Sequence, residues 1–409
     1  GNPPHLDMAK VLQDKGVRQY FVLGGDGSHK GAMQTFDCCL EIDHECAVIG
    51  VPKTIDNDVP MFDQTFGFDT ACTEAVKAVD SAYVEARCNA NCIGLVKLMG
   101  RHCGFIAMNA ALAARHVDIC LLPEMEIDLG KVLEHTEALM QRQGHAVIVV
   151  AEGCGDTLIT SSGAMDAGGN KVLADVGLWL KDTITSRFKD KGLPVSIKYI
   201  DPTYMIRSVP ANSFDSAYCS ALGQMAVHGA MAGYSGVTVG KVYERYVYLP
   251  IHAITMQKGK RVNPKGRWFN RMMETTKQPD FRPSCTSRPS TANAGEIKKP
   301  DDVLQALSIP GSINHLLQPG DEFRRMQVVN LAEKYPGAKV ANPVHPATSK
   351  VFLSEDSWST QTLMRFNKRD DRGHVYYQML RSGPREILHF DPKHGSAVIV
   401  TCGGLCPGL

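Results

Sequence analysis

One short polar cluster constrains this chain more than any other feature. Gly50-Val51-Pro52-Lys53-Thr54-Ile55-Asp56-Asn57-Asp58 follows directly on the apolar run Ala47-Val48-Ile49. An apolar run of that length, ended by polar turn residues, reads as a buried strand. A strand that carries two carboxylates, an amide, a hydroxyl and an ammonium to its C-terminal end belongs in an open α/β sheet, where those ends form the ligand crevice. About 22 residues upstream, Gly24-Gly25-Asp26-Gly27-Ser28 follows the strand-like run Gln19–Leu23 and precedes a helix with Ala32, Met33, Phe36 and Leu40 on one side. Strand, glycine turn and helix N-terminus together present backbone N–H groups and a positive dipole end to phosphate. Glycine is required because a Cβ would hold the phosphate off the backbone. Asp26 inside the turn suits a magnesium ion better than a phosphate. The same residues also fit a plain tight βα turn with Ser28 as N-cap. Read together, the two stretches point to phosphoryl transfer. Asp56 and Asp58 alternate in direction if extended. One can then take the proton of an attacking hydroxyl while the other lies near metal or tunes its neighbour.

Composition narrows the class. Lysine plus arginine number 44 against 43 for aspartate plus glutamate, so no global field selects nucleic acid or a membrane surface. Any anion site has to be local. The 409 residues are enough for two or more domains. The 13 cysteines are scattered, many inside apolar runs, and neither CxxxC pair (Cys88/Cys92, Cys402/Cys406) has the second pair that zinc needs. They read as reduced core thiols, in keeping with a cytoplasmic location. No apolar run of about 18 residues exists and no signal peptide opens the chain, although an incomplete N-terminus leaves an organelle open.

Further along, the same design recurs. A long helix is expected over about 70–88, with Ala71, Val76, Val79 and Ala82 inward. The strand Ile93–Leu98 ends in Met99-Gly100-Arg101-His102-Cys103-Gly104, where an arginine can meet transition-state phosphoryl charge, or form a surface ion pair. His102 is read as structural. Strands at Asp118–Glu124 and His145–Ala151 follow, the second ending in Glu152-Gly153, suited to bonding a sugar hydroxyl. After a helix at about 172–189 and a strand at Val195–Ile200, Lys198, Tyr204 and Arg207 fall within ten residues. They can grip a distant phosphate, or form a solvated rim. A helix at 216–233, strands at Val237–Gly240 and Tyr246–Ile251 and a basic helix near 266–276 complete this part. The βαβα succession predicts parallel sheets covered by helices. Residues Arg282–Lys299 turn to Pro, Ser, Thr, Asn and Lys without apolar periodicity and read as a flexible linker. An amphipathic helix is expected at about 320–334. The strand Ala397–Thr401 then leads into Cys402-Gly403-Gly404-Leu405-Cys406-Pro407-Gly408-Leu409, a strand and glycine turn without the following crossover helix.

With GGDGS at 24–28, PKTIDND at 52–58, KLMGR at 97–101, AEG at 151–153, KYIDPTYMIR at 198–207 and GGLCPGL at 403–409, the sequence resembles the phosphofructokinase family, most closely the ATP-dependent plant and trypanosome type. The resemblance is dense over about 1–281 and weaker over about 335–409. It implies two Rossmann-like three-layer α/β/α domains with mainly parallel sheets. By it the nucleotide domain takes 1–67, about 206–255 and 395–409, and the sugar-phosphate domain takes 68–205 and about 256–281. Residues 282–345 are linker, and 346–394 resemble the family's N-terminal extension. The activity implied is transfer from ATP, with Mg2+, to the C1 hydroxyl of fructose 6-phosphate. Asp56 would be the base, Thr54 and Asp58 would assist, Arg101 would stabilise the transferring group, and Asp26 would hold magnesium. Gly25, Gly27, Ser28, Gly404 and Lys53 would serve the nucleotide. Met99, Gly100 and Glu152 would bind the sugar, and Lys198, Tyr204 and Arg207 its 6-phosphate. A homo-oligomer, dimer or tetramer, is implied, with neither nucleic acid nor membrane as partner.

Two departures qualify the resemblance. In the family the GGLCPGL segment precedes GGDGS, and roughly 70–90 residues between these pieces are absent here. A window across tandem copies or a faulty gene assembly is the reading taken, rather than an intact permuted enzyme, and an inactive fragment is the alternative it raises. Bacterial relatives carry a cross-subunit arginine nine positions before the MGR arginine, a position held here by Cys92. Pyrophosphate-dependent relatives place Asp where Gly27 stands, which favours ATP, whereas Lys53 is shared with the pyrophosphate enzymes. NAD kinase-like and diacylglycerol kinase-like folds share only GGDG, and no GxGxxG supports a dehydrogenase.

Overall fold

The computed structural model describes residues 4–159, 174–283, 322–337, 339–343, 352–364 and 375–409. Two parallel-rich sheets organise them. The first strands are β1 (Gln19–Gly24), β2 (Ala47–Pro52), β3 (Cys92–Leu98), β4 (Ile119–Leu121), β5 (His145–Ala151) and β6 (Ser196–Ile200). The short β7 (Tyr234–Ser235) precedes β8 (Val237–Val242) and β9 (Arg245–Pro250). Then come β10 (Glu322–Arg325), β11 (Val329–Asn330), β12 (Val340–Ala341), β13 (Trp358–Met364), β14 (Val375–Arg381), β15 (Ile387–Leu388) and β16 (Ala397–Thr401). The larger sheet runs β10-β14-β9-β8-β2-β1-β16, with β13 on β14, and the smaller runs β4-β5-β3-β6. All pairs in the smaller sheet are parallel.

β1 lies between β2 and β16 and pairs with both in parallel, so all three strands end at one edge. Helix α1 (Pro4–Asp14) packs on α2 (Asp26–Glu41), and α2 packs on β1 and β2. Helix α3 (Phe68–Cys88) covers the smaller sheet through Ala71, Ala75, Val79, Ala82 and Ala86, each 0% exposed. That stripe of small residues admits close approach. A Cβ on Gly94 in β3 would lie 2.5 Å from the Ala82 carbonyl oxygen. Val76, expected inward, is only partly buried.

Three details add to or depart from the expectations. First, the mainly parallel fold holds, while the larger sheet also carries antiparallel pairs at β13/β14 and β14/β9 and the antiparallel β8–β9 hairpin. Its two-residue turn has Tyr243 and Glu244 at φ 47 and 63, normally glycine or asparagine territory. Asp63 supports it by accepting the backbone N–H groups of Tyr243 and Glu244, each at 2.9 Å. Second, residues 320–334 are not one helix. Residues 322–325 and 329–330 are strands, and only Leu331–Lys334 turns helically. Parallel pairing with β14 and antiparallel pairing with Tyr234–Ser235 override the apolar spacing. Third, these strands lie in the 282–345 span read as linker, of which residues 284–321 are outside the described residues. The start of the helix expected at about 172–189 is also outside them, and the helix described is Val176–Asp190.

Candidate active site

The PKTIDND cluster caps β2, whose six residues are all buried, so the loop hangs from a rigid strand end. Within the loop Asp56 N–H donates to Thr54 Oγ1 at 3.2 Å. Thr65 returns from across the loop. Its hydroxyl donates to the Thr54 carbonyl at 2.7 Å and its N–H to Asn57 Oδ1 at 3.1 Å. Asn57 itself stands at φ 57, a conformation asparagine tolerates best after glycine.

The β3 end meets this loop from the smaller sheet. Cys103 Sγ donates to the Asp56 carbonyl at 3.2 Å, and the Arg101 backbone N–H bonds the Asp56 carboxylate. Arg101 Nε lies 3.8 Å from Glu152 Oε1 at the tip of β5. Gly153 N–H donates to the Gly100 carbonyl at 3.0 Å, and a Cβ on Gly153 would sit 2.2 Å from the Arg101 carbonyl oxygen. Only glycine lets these two tips touch. Asp56, Arg101, Gly100 and Glu152, expected to act together, are thus brought together.

Electrostatics single out Asp56. Burial, then the neighbouring charges of Asp58 and Glu152, push its carboxyl up to about 7, against the Arg101 N–H and guanidinium. Its Oδ1 is enclosed and has no hydrogen-bond partner among the described residues. A buried carboxylate oxygen without a donor is an acceptor waiting for a proton.

The glycine turn stands one strand away. Helix α2 begins at Asp26 with Gly25 as N-cap, so the GGDGS residues form its first turn. Cβ atoms on Gly25 and Gly27 would meet nothing within 4 Å, leaving open space over the amides. Ser28 is folded inward instead, its Oγ 2.2 Å from where a Gly24 Cβ would be. Asp26 is exposed and pairs with Lys30 at 2.7 Å. Among the described residues no group of three or more His, Cys, Asp or Glu could cage a metal. A lone carboxylate beside an open phosphate cradle does fit magnesium, which takes one or two carboxylates and completes its shell with phosphate oxygens and water.

The last turn closes the edge. Cys402 N–H donates to the Leu23 carbonyl at 2.9 Å, setting Gly403-Gly404 beside Gly24-Gly25. Lys53, 5% exposed, donates its ammonium to the Gly404 carbonyl and so ties the two turns together. Arg207 Nη1 lies 3.3 Å from the Cβ position of Gly404, and the guanidinium stacks 5.1 Å from the Tyr204 ring. A cavity of about 730 Å³ opens here, lined by Arg207, Ser208, Ser216, Leu405 and Pro407 among others. Lys198 does not join Tyr204 and Arg207. It sits two residues below the tip of β6 and faces Glu85 at 3.8 Å.

Sequence reasoning missed two residues here. His29 is buried, with Nδ1 2.9 Å from the Gly25 carbonyl oxygen and Nε2 3.0 Å from Thr238 Oγ1. The trace it leaves is Gly50, where a Cβ would sit 2.6 Å from the His29 ring. Lys260 reaches the PKTIDND loop from about 200 residues away and left no local signal.

The chain matches the family model described as phosphofructokinase over residues 3–230. Three relatives show how the resemblance spreads. ATP-dependent 6-phosphofructokinase 5, chloroplastic, of Arabidopsis thaliana is 48% identical over 284 residues, covering 69% of this chain and 53% of that protein. The ATP-dependent 6-phosphofructokinase of Amycolatopsis methanolica is 42% identical, covering 67% and 61%, and that of Trypanosoma brucei brucei is 38% identical, covering 66% and 56%. The chain therefore spans between about half and three-fifths of these relatives' lengths. Among solved structures, a pyrophosphate-dependent phosphofructokinase from Marinobacter aquaeolei superposes with TM-score 0.54 at 20% identity, covering 70% of this chain and 74% of that one, which speaks to the fold alone.

Proposed function

The chain belongs to the phosphofructokinase family, and on that premise we propose that it transfers the γ-phosphoryl group of ATP to the C1 hydroxyl of fructose 6-phosphate. The observation that carries this reading is the enclosed, unpartnered Asp56 Oδ1, on a carboxyl whose pKa is raised to about 7. Such a group is ionised near neutrality yet basic enough to take the C1 hydroxyl proton as the C1 oxygen attacks phosphorus. The bond from phosphorus to the β–γ bridging oxygen breaks, and ADP leaves with that electron pair. Thr54 and Asp58 flank the base. The Arg101 guanidinium meets the charge that develops on the transferring group. Gly25, Gly27 and Gly404 leave backbone exposed to the nucleotide phosphates, with Ser28 behind them. Magnesium, held by Asp26 together with phosphate oxygens, would neutralise charge on the nucleotide. Met99, Gly100 and Glu152 take the sugar, and Tyr204 and Arg207 its 6-phosphate, with Lys198 left to its Glu85 contact. An assembly of two or four copies in the cytoplasm completes the proposal. Among the described residues no helix is long and apolar enough to cross a membrane.

Open space at Gly27 supports ATP over pyrophosphate, because a side chain there would crowd an α-phosphate. Lys53, which the pyrophosphate enzymes share, donates one of its three N–H groups to the Gly404 carbonyl. A coupled assay of the purified chain with fructose 6-phosphate and either donor tests the proposal. Turnover with MgATP is expected. Turnover with pyrophosphate alone would replace the donor, and none with either would leave the inactive-fragment reading standing.

A further inference from the structure

A second, unassigned group sits behind the proposed base. Lys260 Nζ donates to Asn57 Oδ1 at 3.0 Å, to the Phe62 carbonyl at 3.1 Å and to the Asp63 carbonyl at 3.3 Å. Its backbone N–H donates to the Asp58 carbonyl at 2.6 Å. Two residues on, Val262 N–H donates to Glu124 Oε1 at 2.8 Å, and the same carboxylate accepts Gly104 N–H at 3.0 and 3.1 Å. One short segment thus grips the Asp56-bearing loop at one end. At the other it grips, through Glu124, the loop that carries Arg101.

We infer that residues 260–262 form a bracket that fixes the base loop against the arginine loop, with Lys260 as a positioning residue for the phosphoryl transfer proposed above. Three features single out Lys260. Its carbonyl and amide partners make it a three-point anchor rather than an ion pair. Its ammonium lies 5.6 Å from the Phe105 ring, at the start of the helix that follows the Arg101 loop. Burial lowers its pKa to about 8, while the carboxylates of Asp63 and Asp58 limit the fall. A buried cation is retained only where its donors are all used. Alignment of the two loops matters because a displacement of about 1 Å at reacting groups costs on the order of 100-fold in rate.

The inference rests on the kinase reading, so the test has two arms. In the kinetic arm, Lys260→Met and Lys260→Arg are compared with the unaltered chain in the MgATP assay. The Met variant is expected to lose on the order of 100-fold in kcat, with KM for the sugar phosphate within about twofold. The Arg variant, which keeps charge and donors, should recover at least about tenfold of that loss. If the Met variant does not fold, Lys260→Gln takes its place. In the second arm, amide hydrogen exchange is followed in the unaltered chain and the variant. Residues 55–60 and 101–105 should both exchange about tenfold faster, and β5 should be unchanged. Unchanged kcat in an active chain overturns the inference. If the unaltered chain has no turnover, the kinase reading fails and the exchange arm decides alone. Loosening of both loops then supports the bracket, and unchanged exchange at either loop overturns it.

Discussion

β2 and β16 are neighbours of the same strand and differ in what covers them. Both pair with β1 in parallel, and both run from an apolar segment into a turn that the proposed site uses. All six residues of β2 are buried, with Ala47, Val48 and Ile49 at 0% exposure. β16 alternates along its length. Val398 and Val400 pack against the core, while Ile399 on the other face is 70% exposed. The loops inherit the contrast. The loop after β2 is held by Thr65, Cys103 and Lys260. The turn after β16 leans on Lys53 and on Cys406, whose Sγ donates to the Phe66 carbonyl at 3.1 Å, and its Leu405 is 59% exposed. Similar local sequence therefore makes a strand and a turn in both places. Packing on both faces is what makes one of them rigid enough to hold the proposed base in place.

The contrast can be broken by substitution. Ile49→Ala in β2 should cost about 2–5 kcal/mol in a denaturant melt, since the cavity opens in a packed interior. A cost below about 1 kcal/mol would show that β2 is no better held than β16. A smaller effect comes from the raised pKa of Asp56. A carboxyl whose folded pKa lies above its unfolded value penalises the folded state increasingly as pH rises between the two, here from about 3.8 to about 7. Asp56→Asn removes that penalty. Its stability relative to the parent should therefore gain on the order of 2–3 kcal/mol between pH 5 and pH 8. A constant difference across that range would mean the loop does not enclose the carboxyl.

Smaller again is the tie between the two turns. Lys53→Met removes the donor to Gly404, and amides of residues 402–409 should exchange about fivefold faster, equivalent to about 1 kcal/mol. Exchange over 54–58 should hold, because that loop has its own clamps. Ile399→Lys, on the exposed face of β16, should shift stability by less than about 0.5 kcal/mol. A loss of several kcal/mol would show that this face is covered in solution.

Much of the site was legible because its chemistry is local. The PKTIDND cluster, the GGDGS turn and the Arg101 loop each follow an apolar strand, and strand plus turn chemistry is a short-range signal. What escaped is tertiary. The β8–β9 hairpin hides behind Tyr243 and Glu244, which adopt positive φ because Asp63, 180 residues away, takes their N–H groups. Apolar residues at 320–334 suit a helix until β14 and Tyr234–Ser235 offer strand pairing. Lys198 looked like a partner of Arg207 by proximity in sequence, yet its place on β6 turns it to Glu85. Lys260 carries no pattern of its own. Its part in the fold exists only where residues 57–63 come round to meet it.

The proposed base at the end of β2 stands or falls on one profile, kcat/KM for fructose 6-phosphate against pH for the purified chain and for Asp56→Asn. An acidic limb should rise with unit slope to an inflection near pH 7 and level off above it, following ionisation of the enclosed Asp56 carboxyl. The asparagine variant should fall by about 10²- to 10⁴-fold and lose that limb. An inflection that persists unchanged in the variant, or a rate flat from pH 5 to pH 8 in the parent, would contradict the assignment of Asp56.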